Sequence, residues 1–432
     1  MRILHISTRL ILGGSQENTV LSCEGQVRRG HEVHLAFGPI YGPEGSLLER
    51  VEQFGVRGTD GGGEQAIERA SEQGKIHTHN IPNLVREINP IKDRRALREL
   101  RELIERIKPD VVHTHSSKAG ILGRWAAWGS PAGVVHTIHG PPFMPIEGSA
   151  PHRLKVRALN YAYTLAERSA ARHCHTIVSV ADAMTREFLR RGIGTPEQYT
   201  TVRSGMEIER FLTPTIRPDG TPDSRENVRA MLALKPDDFV IGTVARLAQH
   251  KGHDDLLDAL AHDLRQHPNW KLLWVGDGWW RERLLNKAAV LQITHASAHT
   301  PGGTGAQLIL TGLVPPERIP GLLRAMDLLV HPSSREGLPR TVPQALLSGV
   351  PVVAYDCDGT GEVCRDMDTG RLVKTGDTQA LGDAIRWMAE HPDERRAMAE
   401  RGKDMCVREF SAEKMVDDLE RIYVRALHRA RG

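Results

Sequence analysis

Cysteine is scarce in this sequence, and the five present (Cys23, Cys174, Cys357, Cys364 and Cys406) are scattered, odd in number and without a Cys-x-x-Cys pair. That excludes a disulfide framework and a thiolate zinc site, and the expectation is reduced thiols in a cytoplasmic protein. Long apolar runs are missing as well. Nothing approaches the roughly 18 consecutive apolar residues that a spanning helix needs. The start, Met1-Arg2, then Ile3-Leu4-His5-Ile6, then Thr8-Arg9, is too short for a secretory apolar region. Peripheral membrane contact stays open, because Arg153, Lys155 and Arg157 suit either anionic lipid or an ordinary solvated face. An excess of one charge is lacking too: 57 Lys and Arg against 54 Asp and Glu leave +3. Basic pairs such as Arg94-Arg95 and Arg395-Arg396 stand among acids, so no nucleic-acid partner is expected.

What is present is a repeating alternation. At 432 residues and 40% apolar content the chain can build two or three domains of about 100–200 residues each. Short apolar runs at 3–7, 32–37, 110–113, 134–137, 177–180 and 200–203 are separated by helix-like stretches such as 94–107 and 154–172. Continuous rather than alternating apolar runs are the mark of parallel strands buried on both faces. Residues 206–237 are polar, carry Pro214, Pro218, Gly220 and Pro222, and hold no convincing strand. The pattern then restarts at 239–244, 271–275, 308–311, 328–330 and 351–354.

The expected fold class is therefore α/β. Two Rossmann-like, doubly wound parallel-sheet domains (1–205 and 206–410) would face each other across a cleft, where such folds bind ligands. Residues 411–432 are expected to form an amphipathic helix packing back on the first domain, with Met415, Leu419, Ile422, Tyr423 and Leu427 on one side. Two glycine-bearing segments, 58–75 and 292–306, read as inserted mobile loops.

Three clusters could carry chemistry. Gly13-Gly14-Ser15 stands between the first strand and a helical run beginning near Glu17. Glycines there either admit an anion to backbone N–H groups or simply make a tight turn. Arg246 and Lys251-Gly252 follow the strand 239–244, where a guanidinium fork and an ammonium suit a diphosphate. Past the strand 328–330 comes His331-Pro-Ser-Ser-Arg-Glu336-Gly337-Leu338-Pro339, opening a helix at 341–347 that carries Gln344. A carboxylate in such a turn can accept sugar hydroxyls, and the freed N–H groups of the turn can meet phosphate or sugar oxygens.

Taken in order, these residues resemble the retaining glycosyltransferases of the GT-B fold, family 4. Val275-Gly276-Asp277-Gly278, Gly349-Val-Pro351, the stretch from His113 to Arg124 and Val135-His-Thr-Ile-His139-Gly140 belong to the same likeness, which covers nearly the whole chain. The resemblance implies that Arg246 and Lys251 bind the donor diphosphate and stabilise the leaving group. It makes Glu336 the first acid of an E-x7-E motif holding the transferred sugar, and brings His139 to the sugar ring. Gly13, Gly14 and Gly276 would face the donor, and the turn Gly337, Leu338, Pro339 and Arg340 would supply backbone donors. Thr311, Leu313 and Ile319 would flank the base.

One position departs from the pattern: the second acid is Gln344 here, which keeps hydrogen-bonding atoms but loses the charge that grips the ribose. The implied substrates are a nucleotide-sugar donor, UDP-linked in preference to GDP-linked, and a sugar, lipid-linked or small-molecule acceptor. Polysaccharide, glycolipid or glycoconjugate synthesis would be the setting. No cofactor and no catalytic metal are expected: His113 and His115 read as strand-end residues, Asp356-Cys357-Asp358 as a metal motif on paper only, and Glu362 as structural or donor-side. The rival is a catalytically silent nucleotide-sugar-binding or assembly subunit in which Gln344 marks decay of the E-x7-E motif.

Overall fold

The computed structural model describes residues 1–41, 45–54, 74–143, 149–298 and 305–431. These form two compact units, Met1–Met206 with Ala412–Gly432, and Glu207–Ser411.

The first unit holds seven parallel strands: β1 (Arg2–Ser7), β2 (Glu32–Phe37), β3 (Ile76–Asn80), β4 (Val111–His115), β5 (Gly133–Ile138), β6 (Thr176–Ser179) and β7 (Tyr199–Thr201). Their order is β3-β2-β1-β4-β5-β6-β7, so the winding reverses between β1 and β4. β4, β5 and β6 are buried along their whole length, and each carries adjacent apolar residues, as in Val111-Val112, Val134-Val135 and Ile177-Val178. The helix expected from 94 begins earlier, at Pro90–Ile107, because the Asn89 side chain accepts from the Lys92 N–H and Pro90 sits in the first turn. The helix after Gly13 likewise begins at Gly14 rather than near Glu17. The helix expected over 154–172 runs Ala150–Ala171.

The C-terminal helix, Ala412–Arg431, lies on this sheet. Its Met415, Leu419, Ile422 and Tyr423 pack with Ile3, Val111, Val135 and Val178, and Leu427 is partly buried beside them. Each such buried side chain contributes about 1.5–3 kcal/mol. The Arg124 guanidinium, wholly buried, donates to Glu167 at 2.6 Å and ties the helix Ser117–Ala127 to the helix Ala150–Ala171.

The second unit repeats the plan with β8 (Phe239–Val244), β9 (Trp270–Val275), β10 (His295–Ser297), β11 (Leu308–Leu310), β12 (Leu328–His331), β13 (Val352–Asp356) and β14 (Arg371–Lys374), in the order β10-β11-β9-β8-β12-β13-β14. Here the winding reverses between β8 and β12. Its core includes the buried Trp274 and Tyr355.

The segment 292–306 corrects an expectation. Far from being only a loop, it supplies β10, which pairs in parallel with β11 from His295 to Ser297. A three-residue edge strand composed of His, Ala and Ser has too little apolar content to announce itself. Of the other expected loop, 58–75, residues 58–73 lie outside the described residues. Among the described residues no helix is long and apolar enough to cross a membrane.

Candidate active site

In doubly wound sheets ligands gather beyond the carboxyl ends of the strands where the winding reverses. In the second unit that point lies between β8 and β12. The backbone continues to pair past the strand ends: the Ala245 N–H donates to Val275 O at 3.1 Å, Leu247 to Asp277 at 3.1 Å, and Gly276 to Gly312 at 3.1 Å. Arg246, Gly276 and Thr311 therefore end neighbouring strands on one edge. Gly276 has φ +135, and a Cβ there would lie 2.2 Å from the Ala245 carbonyl oxygen, so only glycine admits this approach.

The loop after β8 is pressed onto the loop after β12. Gly252 turns in the left-handed region (φ +70), and a Cβ on it would meet the Pro332 carbonyl oxygen at 1.9 Å. The His250 carbonyl accepts from the Ser334 N–H at 2.8 Å and from the Ser333 hydroxyl at 3.0 Å. This stitching brings the Lys251 ammonium to 2.5 Å from Glu336 Oε1. His331 Nε2 lies 3.2 Å from the same oxygen without an aligned hydrogen bond. The Thr341 hydroxyl is 3.2 Å from His331 Nδ1.

Burial pushes the Glu336 carboxyl up, but the Lys251 charge and the contact with His331 outweigh it and hold the group well below the usual carboxylate range. The carboxylate is thus ionised and fixed in direction. Its backbone N–H donates to Asp358 Oδ2 at 2.7 Å, so one acid of the Asp-Cys-Asp stretch positions the glutamate turn. Neither His331 nor Asp358 stood out as a partner of Glu336. The only sequence signal was their place at the ends of β12 and β13, adjacent strands.

The other residues of this unit expected on the donor side lie at the ends of its strands or in the segments that follow them. Arg246 is exposed and stands over the Trp279 ring at 5.7 Å. Leu338 is buried, with Gly337 half-buried beside it. Gly337 accepts from the Gly359 N–H at 3.0 Å. Pro339 is buried and Arg340 half-buried before the helix Thr341–Leu347, in which Gln344 is buried. Thr311 is buried and its hydroxyl donates to the Gly312 carbonyl at 2.9 Å. Ile319 starts the helix Ile319–Arg324, whereas Leu313 is 75% exposed.

In the first unit the reversal lies between β1 and β4. Gly13 and Gly14 are exposed at the start of the helix Gly14–Arg28, and Gly13 is extended backbone whose carbonyl accepts from the Glu17 N–H at 2.9 Å. His139 follows β5, half-buried, with its Nε2 3.1 Å from Nδ1 of His115 at the end of β4.

Comparison with known proteins identifies the family. Residues 13–205 match the family model described as "Glycosyl transferase 4-like domain", and residues 224–405 the one described as "Glycosyl transferases group 1". The chain is a GT-B glycosyltransferase.

Among its relatives, an Escherichia coli UDP-Gal:alpha-D-GlcNAc-diphosphoundecaprenol alpha-1,3-galactosyltransferase is 27% identical over 350 residues, covering 80% of this chain and 82% of the relative. A D-inositol 3-phosphate glycosyltransferase of Saccharomonospora viridis is 28% identical over 339 residues, covering 75% and 72%. The fold of this enzyme also superposes on Anabaena Alr3699/HepE in complex with UDP and glucose. That match has a TM-score of 0.71 at 19% identity and covers 98% of this chain and 99% of the other. Sucrose-phosphate synthase of Thermosynechococcus elongatus gives a TM-score of 0.74 at 17% identity, covering 99% and 100%.

Proposed function

We propose that the enzyme transfers a hexosyl group from a UDP-sugar to an acceptor hydroxyl with retained anomeric configuration, a GDP-sugar being the second choice of donor. The observation that carries this reading is the Lys251–Glu336–His331 cluster, an ionised carboxylate held between two basic groups at the switch point of the second sheet. Lys251 and Arg246 supply positive charge to a departing diphosphate, the type of stabilisation in which one well-placed donor contributes about 3–4 kcal/mol. In this scheme no metal is needed at the phosphates. Glu336 accepts hydrogen bonds from the sugar hydroxyls, strengthening them as the ring gains positive charge.

Retention in this scheme proceeds by departure and attack on one face within an ion pair. The Glu336 carboxylate is committed to Lys251 and His331, which disfavours the covalent role that the second carboxylate plays in retaining glycosidases. The acceptor reading is lipid-linked or soluble sugar, by analogy with the relative whose name states a diphosphoundecaprenol acceptor. The work would be done in the cytoplasm, at the membrane surface when the acceptor is lipid-linked.

Gln344 supports a second reading, a silent nucleotide-sugar binder, through its lost charge alone. Both are tested by a panel of UDP- and GDP-sugars without acceptor, scored by thermal shift and by donor hydrolysis in chelator. Hydrolysis of one donor supports transfer. A thermal shift with no turnover under any acceptor supports the binder.

A further inference from the structure

We propose that His139 is held in one tautomer by a buried hydrogen-bond relay, Gln26–His5–His115–His139, anchored by Tyr423 of the C-terminal helix, and that Gln26, His5 and His115 are positioning residues for sugar transfer. The proposal rests on the reading of His139 as a group that meets the donor sugar.

The connections are continuous. Gln26 Oε1 is 2.8 Å from His5 Nε2, His5 Nδ1 is 2.8 Å from His115 Nε2, and His115 Nδ1 is 3.1 Å from His139 Nε2. At the other end the Gln26 amide nitrogen donates to the Tyr423 hydroxyl at 2.9 Å. That hydroxyl lies 2.7 Å from His113 Nδ1, whose Nε2 is 2.7 Å from the Thr137 hydroxyl. The rings are also close to parallel: His5 and His115 are tilted by 15° with centroids 5.1 Å apart, and His115 and His139 by 25° at 5.4 Å.

The direction of the protons follows from one amide. Gln26 turns its nitrogen to Tyr423 and its oxygen to His5, so His5 Nε2 must carry hydrogen. A neutral imidazole has one donor and one acceptor nitrogen, so His5 Nδ1 accepts from His115 Nε2–H, and His115 Nδ1 accepts from His139 Nε2–H. The lone pair of His139 is thereby assigned to Nδ1, and the ring is held in one orientation by His115. Reversing the amide would reverse every proton in the chain, so the sense is set by the orientation of Gln26, whose nitrogen faces the Tyr423 hydroxyl.

Burial keeps the relay neutral. His5, His113 and His115 are no more than 1% exposed, and burial lowers His5 to about 4 and takes His113 and His115 well below their ordinary value. His5, His113 and His115 also present one ring nitrogen each within 4.8 Å of one another, a spacing that would suit a metal ion. Both nitrogens of each of these rings already have hydrogen-bond partners, however, and no carboxylate is in the trio to offset a buried dication.

The test is a two-bond ¹H–¹⁵N spectrum of the full-length, ¹⁵N-histidine-labelled enzyme, with His139 assigned by its loss in His139→Gln. The expected result at pH 7.5 without donor is a single Nε2–H tautomer. Tyr423→Phe, a conservative change, should introduce the Nδ1–H form. Gln26→Leu should do so more fully, and Gln26→Glu, which keeps the oxygen facing His5, should restore Nε2–H. Gln26→Leu should also lower kcat about tenfold, the worth of one hydrogen bond, with nucleotide affinity unchanged and activity recovered in Gln26→Glu.

An Nδ1–H or mixed tautomer in the wild type overturns the relay, as does an unchanged His139 spectrum in Gln26→Leu. One equivalent of tightly bound zinc, lost in His5→Phe, overturns it too. If the tautomers move as expected while His139→Gln and Gln26→Leu retain full activity, the positioning role falls and the assignment of His139 falls with it. The spectrum alone scores the relay when the functional reading fails.

Discussion

The two sheets present the same topological switch point with opposite chemistry. Between β1 and β4 the edge is built from neutral, buried histidines that hand hydrogen bonds to one another. Between β8 and β12 it is built from an ionised glutamate clamped by a lysine and a histidine. The same fold has been filled in one case with groups that burial strips of charge, and in the other with a carboxylate that charge pairing keeps ionised. Under the proposed function, the neutral edge orients the sugar and the charged edge holds the diphosphate.

The largest expected effect separates the units by acid. Burial lowers His5 and, helped by neighbouring charges, His79 to about 4, and takes His113, His115 and His136 well below 6.5. Unfolded, these rings take protons from about pH 6.5 downward; folded, they do not. Stability contributed by keeping them neutral is therefore present above that pH and lost as pH falls toward the folded values, at about 1.4 kcal/mol per pH unit for each ring. In the second unit His253 behaves the same way, lowered to about 3, but Glu336 loses its contribution only as pH falls from about 4.5 to its depressed folded value. Hydrogen exchange on the intact chain at pH 7.5 and 5.5 should show the first unit opening at the lower pH while β8, β9 and β12 stay protected. Equal loss in both would erase the contrast.

Next in size, Lys251→Ala should cut kcat by a factor of about 10²–10³, the worth of one preorganised donor, with an unchanged circular dichroism spectrum. Arg246→Ala should behave alike. Near-normal turnover in both variants would remove the phosphate assignment. Glu336→Gln should lower kcat more than donor KM, because its contacts tighten in the transition state. A pure KM change would reassign it to ground-state binding.

The strands that carry these edges were legible because each holds a short apolar run, as in Ile3-Leu4, Val111-Val112 and Leu328-Leu329-Val330. β3, β10 and β14 were not: Ile-His-Thr-His-Asn, His-Ala-Ser and Arg-Leu-Val-Lys are short and carry at most two apolar residues each, and only pairing with a formed neighbour makes them strands. Lys251 and Glu336 could be read as ligand groups, since each follows a strand in a turn rich in Gly, Ser and Pro. Their 2.5 Å contact could not, being the product of Gly252 packing on Pro332 across a gap of 80 residues in sequence. Tyr423 was legible as an apolar helix position. Its hydroxyl's partners, Gln26 and His113, lie in distant sequence, and no local pattern encodes them.

The smallest effect sharpens the charged edge. Gln344→Glu should lower donor KM severalfold, by about 1 kcal/mol for a restored charged hydrogen bond, and leave kcat nearly unchanged. A kcat that rises from zero would instead mean that the natural chain is silent.

The central claim, that fixed cations at the switch point of the second sheet hold the diphosphate, is tested most directly by calorimetry of UDP and GDP binding in EDTA. One of the two should bind the wild-type enzyme in chelator, and its affinity should fall at least about tenfold in Lys251→Ala, in line with a lost charge-assisted hydrogen bond. Binding that appears only on adding Mn²⁺ or Mg²⁺, or that Lys251→Ala leaves intact, would contradict it.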